Sequence, residues 1–292
     1  MLLAFDDIST DPVKLLPEHG IEVAVLRLDK IHPVISGNKW FKLQYYLKEA
    51  KEQDKKRIIT FGGAWSNHIV ATAAACQMNN LESIGIIRGE EPISYSPTLL
   101  QATEYGMQLH FISREEYAEK KIPASLMNDE NYLINEGGFG QKGAEGAAAI
   151  LNYTKKDFTH CCCAVGTGTM MAGLTMAVAP GQQLIGISVL KNNYQLNESV
   201  RSLVADRSKK WEIIHDYHFG GYAKHKPALI EFMNDFYRQT GIPSDFVYTG
   251  KLFYAVNDLA KQGFFPAGSR LLLIHSGGLQ GNKSLEKGTL IF

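Results

Sequence analysis

The sequence predicts an α/β protein of two units, each built around a mainly parallel sheet. Three observations carry this. Short apolar runs alternate with helical segments from about residue 57 onward, the intervening helices are long enough for crossover connections, and glycine clusters follow several of the runs. Parallel neighbours cannot be joined by a tight turn, so strands spaced by helices imply parallel pairing through right-handed crossovers.

In the first series, Ile58-Ile59-Thr60-Phe61 is a short buried strand closed by Gly62-Gly63. An alanine-rich helix follows over 66–78, then a strand over 83–87 and a helix over 97–105. A strand at 108–112, a helix at 114–121, a strand at 132–134 and a helix at 143–153 complete the unit. The second series opens with a strand at 160–165, a helix at 169–178 and a strand at 184–190. It continues with a helix at 197–205, a strand at 212–215, helices at 228–239 and 252–262, and a strand at 270–274. The first 40 residues are assigned to this second unit. No repeat, low-complexity stretch or disordered linker interrupts the chain.

Composition narrows the partners. Thirty Lys plus Arg balance thirty Asp plus Glu over 292 residues, so no global field favours nucleic acid or a membrane surface. Every apolar stretch is broken by Gly, Lys or Asp before it reaches membrane length. The start, MLLAFDDIST, has neither a basic region nor a long apolar one, which points to the cytoplasm. Of four cysteines, three are consecutive, Cys161-Cys162-Cys163. Adjacent strand residues face opposite ways, so the run cannot converge on one metal ion and is expected to fill a buried strand. The expected ligand is a small molecule.

In open α/β sheets ligands bind beyond the carboxyl ends of strands. Four segments qualify as candidates: Ser36-Gly37-Asn38-Lys39, Gly62 to His68, Val165 to Thr169, and Ile274 to Gly278. The middle two run strand, glycine turn, helix, which aims backbone N–H groups and a helix N-terminus at one spot and suits an anion. Gly166-x-Gly168 with Ala172 is a weak dinucleotide fingerprint, and the next strand ends in Val189-Leu190-Lys191 instead of the acidic residue such a site needs. No phosphate-loop lysine and no Gly-x-Ser-x-Gly elbow is present.

Taken together, SGNKWFKLQYY, FGGAWSNHIVATAA, AVGTGTMMAGL, HFGGYA, VYTGK and IHSGG resemble, in order and over nearly the whole chain, the 1-aminocyclopropane-1-carboxylate deaminase and D-cysteine desulfhydrase family. That resemblance implies the tryptophan-synthase-β-like fold of pyridoxal 5′-phosphate (PLP) enzymes, fold type II. It also implies a large PLP-binding domain over 1–43 plus 157–292 and a small domain over 44–156. A homodimer is implied as well.

The resemblance assigns roles residue by residue. Lys39 would hold the cofactor as a Schiff base and then move the substrate's Cα proton. Lys42, one turn on, would pair with the phosphate, which Thr167, Gly168 and Thr169 would cradle. Asn67 would bond the ring hydroxyl. Ser66, with the N–H groups of Asn67 and His68, would receive the substrate's α-carboxylate. Tyr222 and Tyr248 match active-site tyrosines and Ser276 a hydroxyl residue facing the pyridine nitrogen; His275 is expected to be structural. Trp65, Phe139 and Met170 depart from the family pattern, and the first two make the pocket more apolar. The family's cyclopropane deaminases carry a glutamate after the active-site tyrosine, where it serves the pyridine nitrogen, whereas Tyr248 is followed by Thr249, so that Thr249 and Ser276 together would offer only neutral hydroxyls. The expected activity is PLP-dependent β-elimination from a small amino acid such as D-cysteine, giving a 2-oxo acid and ammonia. Cyclopropane deamination is the enzymatic alternative, and PLP binding without turnover the alternative of another class.

Overall fold

The computed structural model describes residues 2–14, 20–155 and 157–292. Ten strands and nine α-helices are found among them. In chain order these are β1 (Thr10–Val13), β2 (Glu22–Arg27), α1 (Asn38–Glu52), β3 (Arg57–Gly62), α2 (Asn67–Met78), β4 (Glu82–Arg88), α3 (Pro97–Glu104), β5 (Met107–Ile112), α4 (Arg114–Ala118) and β6 (Asn131–Ile134). They continue with α5 (Gln141–Ala148), β7 (His160–Val165), α6 (Thr169–Ala177), β8 (Gln183–Ser188), α7 (Leu196–Leu203), β9 (Lys210–Ile214), α8 (Pro227–Thr240), α9 (Thr249–Lys261) and β10 (Arg270–His275).

The strands form two sheets, a six-stranded one ordered β1-β2-β10-β7-β8-β9 and a four-stranded one ordered β5-β4-β3-β6. All pairings are parallel except β1 with β2, an antiparallel edge the sequence reading did not anticipate. Each sheet has a point where neighbours in space stop following chain order: β10 beside β7 in the larger, β3 beside β6 in the smaller. Loops leaving adjacent strands on either side of such a point diverge and leave a crevice. The glycine turns following β3, β7 and β10 are therefore placed at crevices.

The cysteine run behaves as its alternation requires. Cys161 and Cys163 pack with Val165, Leu184 and Ile274 on one face of the larger sheet, and Cys162 packs with Ile185, Leu252 and Leu273 on the other. All four cysteines are free and buried. Two expected helices are shorter than the pattern suggested. The segment expected over 143–153 is α5 followed by a 3-10 turn at Ala149–Tyr153. Helix α4 starts on a Ser113–Glu116 capping box and stops at Ala118, because Lys120 turns into the left-handed region at φ 54°. Among the described residues no helix is long and apolar enough to cross a membrane.

Helices α1, α5 and α6, which carry the lysines and the anion turn, touch through glycines. A Cβ placed on Gly146 would lie 1.9 Å from the Phe41 carbonyl oxygen, and one on Gly173 would lie 2.2 Å from that of Ala144. Only hydrogen fits at these contacts. Gly173→Ala should destabilise the protein by about 2 kcal/mol in urea denaturation, because overpacking outweighs alanine's helix-propensity gain of about 1 kcal/mol. A change under about 0.5 kcal/mol would show that the helices have room to part.

Candidate active site

A pocket of about 1030 Å³ opens where the strand ends of both sheets meet, and Lys39, Lys42, Ser66, Asn67, His68, Thr167, Gly168, Tyr222, Tyr248 and Ser276 all line it. Thr169 stands just behind, fully buried, with its hydroxyl 3.0 Å from that of Thr167. The structure thus brings together every site residue read from the sequence. Trp65, Phe139 and Met170 also line the pocket. A smaller cleft of about 360 Å³ lies beside the start of β9, at the amino end of a strand, and offers no such convergence.

Lys39 sits in the first turn of α1. Its ammonium donates to Asn38 Oδ1 at 2.8 Å, while Asn38 Nδ2 points at the Met170 sulfur 3.2 Å away. Met170 therefore takes part in orienting the amide that holds the lysine. Burial pulls the Lys39 pKa down, partly offset by the Asp245 carboxylate, to about 8. Lys42 is buried too, and burial together with the Lys39 charge pushes its pKa well below the usual lysine value. No ion pair or hydrogen bond to its amine is formed among the described residues. A buried cationic group without a counter-ion is costly unless an anion joins it.

The anion turn is prepared for that. Gly168 caps α6 in the left-handed conformation at φ 85°, between Thr167 and Thr169. Gly137 and Gly138 join it to the lysine: a Cβ on Gly137 would lie 2.8 Å from Thr167 Cγ2, and one on Gly138 would lie 3.2 Å from Lys42 Cβ. Across the pocket, the Ser66 side chain caps α2 by accepting from Ile69 N at 3.4 Å. Asn67 donates to the Gly278 carbonyl, and its Oδ1 is buried without a partner. The Thr60 hydroxyl donates to the Ile134 carbonyl, so it accepts from His68 Nε2–H at 2.8 Å. That leaves His68 Nδ1 as an unpartnered acceptor, and burial beside Lys42 and Lys39 keeps the ring neutral.

Tyr248 lies with its ring centroid 5.9 Å from the Lys39 ammonium and stacks edge-on against Tyr222, their centroids 6.2 Å apart. Burial raises both phenol pKa values. Two residues behind Tyr248 were not found by sequence reasoning. Asp245, fully buried, accepts from the N–H groups of Val247, Tyr248 and Thr249 and from the Thr249 hydroxyl. Lys251, also fully buried, donates to the carbonyls of His218 and Gly221 and so holds the loop that carries Tyr222. Thr249 departs from expectation, because its hydroxyl is committed to Asp245 and does not line the pocket. His275 donates from Nε2 to the Pro243 carbonyl and accepts from Gly277 N at Nδ1, which shapes the Ser276 loop.

This fold and site define a fold-type-II PLP enzyme. A profile of the family described as "Pyridoxal-phosphate dependent enzyme" matches residues 10–277. A Pyrococcus abyssi protein named putative 1-aminocyclopropane-1-carboxylate deaminase is 30% identical over 301 residues, covering 92% of this chain and 89% of that one. The Arabidopsis thaliana protein named bifunctional D-cysteine desulfhydrase/1-aminocyclopropane-1-carboxylate deaminase, mitochondrial, is 30% identical over 90% of this chain and 74% of its own. A crystal structure of a 1-aminocyclopropane-1-carboxylate deaminase homologue superposes with TM-score 0.81 at 27% identity, covering 94% of this chain and 90% of that one. The O-acetylserine-dependent cystathionine β-synthase of Helicobacter pylori shares the fold, with TM-score 0.69 at 16% identity over 98% of both chains. The chain belongs to the pyridoxal-phosphate-dependent enzyme family.

The residues fit the cofactor on three structural grounds: the buried, uncompensated Lys42, the glycine cradle at α6 that a side chain would fill, and the orphaned Asn67 Oδ1. An amine attacks an aldehyde only when neutral, so covalent loading of the apoprotein with PLP should speed up with pH to about 8 and then level off. Stopped-flow absorbance checks this. A rate still climbing about tenfold per unit up to pH 10 would mean an ordinary, solvated lysine.

Proposed function

We propose that the protein catalyses β-elimination from a small β-substituted amino acid of the D-cysteine type, releasing a 2-oxo acid and ammonia. When bound, PLP supplies an aldehyde for the substrate amine and a ring that spreads negative charge from Cα. Lys42, Thr167, Gly168 and Thr169 would hold its phosphate, Asn67 its ring hydroxyl and Ser276 its ring nitrogen. Lys39 would be the base that takes the substrate's Cα proton. A pKa lowered by burial to about 8 lets it accept and return that proton. Ser66 and the free N–H groups opening α2 orient the α-carboxylate. Tyr248, beside the Lys39 amine, and Tyr222, beside Tyr248, are the hydroxyls in reach of a departing β-substituent, which leaves with its bonding electrons.

One observation favours this over cyclopropane deamination, a reading the relatives' names support equally. No free carboxylate faces the pocket among the described residues. Glu136 pairs with Lys120, and both oxygens of Asp245 are taken by backbone and Thr249 donors. Neutral hydroxyls such as Ser276 do not hold a ring nitrogen protonated, so the ring is a shallower electron sink. That suffices where a good leaving group follows Cα deprotonation, and is poorly suited to opening a ring whose Cα carries no proton. The same reading takes the protein as a cytoplasmic homodimer with a large domain at 1–43 plus 157–292 and a small one at 44–156. Four unpaired, buried cysteines accord with a reducing compartment.

The test is 2-oxo acid release from D- and L-cysteine, both β-chloroalanines and the cyclopropane amino acid. The expected outcome is a kcat/KM for the best β-substituted substrate at least tenfold above that for the cyclopropane, about 1.4 kcal/mol of transition-state stabilisation. Cyclopropane turnover with no β-elimination would reverse the assignment. Cofactor-loaded protein inert toward every substrate would support binding without turnover.

A further inference from the structure

The pocket's charges do not balance once the roles above are assigned. Five cationic residues line it, Lys39, Lys42, Arg88, Arg114 and Lys120, against one acid, Glu136. The chain as a whole is neutral, so this excess is local. Lys39 takes the aldehyde, Lys42 the phosphate, and Lys120 is paired with Glu136. The α-carboxylate has the N-terminus of α2. Arg88 and Arg114 remain, and neither forms an ion pair among the described residues.

Their placement is set by the smaller sheet. Arg88 is the last residue of β4 and pairs in register with Ile112, the last of β5, two residues before Arg114. Gly62, at the end of β3, pairs with Ile87 and leads into the Gly63–Ser66 turn, closed by Ser66 N donating to the Gly63 carbonyl at 3.0 Å. The Arg88 guanidinium reaches that turn: a Cβ on Gly63 would lie 3.9 Å from its Nη2. The Arg88 guanidinium carbon also lies 5.9 Å from the centroid of the Tyr117 ring. A guanidinium so placed, exposed at a strand end with one Nη beside the carboxylate turn, has N–H donors to offer a group that extends from the substrate's α-carbon.

Building on the amino-acid reading above, we propose that the substrate bears a second anionic group at the end of its side chain, a carboxylate, sulfonate or phosphate, and that Arg88 recognises it. Arg114 adds to the local field from the neighbouring strand end.

Aspartate and asparagine separate charge from shape, since they are isosteric. Both enantiomers of each are titrated into the PLP-loaded protein by calorimetry, which reads binding independently of turnover. Aspartate of the preferred hand should bind at least tenfold more tightly than asparagine, the scale of one charge-assisted hydrogen-bond pair. Arg88→Gln should bring the ratio within about twofold of unity, and Arg88→Lys should retain part of it. An equal affinity in the unaltered protein, or no binding of aspartate at millimolar concentration, overturns the proposal. So does an Arg88→Gln variant that weakens both ligands alike, which would place Arg88 on the α-carboxylate. Because the β-elimination reading is judged by 2-oxo acid release, each of the two can fail while the other stands.

Discussion

The chain crosses itself at Gly37 and Gly277, and the site depends on how close that crossing is. A Cβ on Gly37 would lie 1.8 Å from the Ser276 carbonyl oxygen, and one on Gly277 would lie 2.4 Å from the Ser36 hydroxyl. Both glycines are also left-handed, at φ 63° and 73°, so no other residue replaces either without moving backbone. The crossing is bonded by Asn38 N donating to the Ser276 carbonyl at 3.2 Å. It fixes the first turn of α1, and with it Lys39, to the end of β10. Everything else in the pocket is positioned relative to that amine.

The second organising influence is burial of charge. Lys39 and Lys42 are one helical turn apart, both with their pKa values lowered, and Asp245, whose charge partly offsets the shift at Lys39, is saturated with donors. A buried carboxylate so fully bonded stabilises nearby positive charge without acting as an acid or base itself. Lys251, on the same helix as Thr249, uses its ammonium on two loop carbonyls in place of a counter-ion. The pocket is thus held by groups that do no chemistry, leaving Lys39 and the paired tyrosines free for it.

Much of this was legible in the sequence because its signals are local. Glycine turns after apolar runs mark strand ends, and from the three candidate turns Gly63 to His68, Val165 to Gly168 and Ser276 to Gly278 line one pocket. The Cys161 to Cys163 run declared a strand buried on both faces. What escaped depends on contacts distant in sequence or on side-chain direction. Lys251 finds partners 30 and 33 residues away, Arg88 ends a strand like any surface arginine, and β1 joins as an antiparallel edge with little apolar pattern. Thr249 misled for a related reason. Its position beside Tyr248 suggested a pocket-facing hydroxyl, but the start of α9 turns it onto Asp245.

The most direct test of the account is to find the residue that carries the cofactor. Borohydride reduction of the PLP-loaded protein, followed by proteolysis and mass spectrometry, should place the pyridoxyl group on the peptide containing Lys39 and abolish the visible absorbance. The Lys39→Ala protein should show neither the band nor the label. Label on Lys42, Lys251 or any other lysine of the unaltered protein would contradict the arrangement described here.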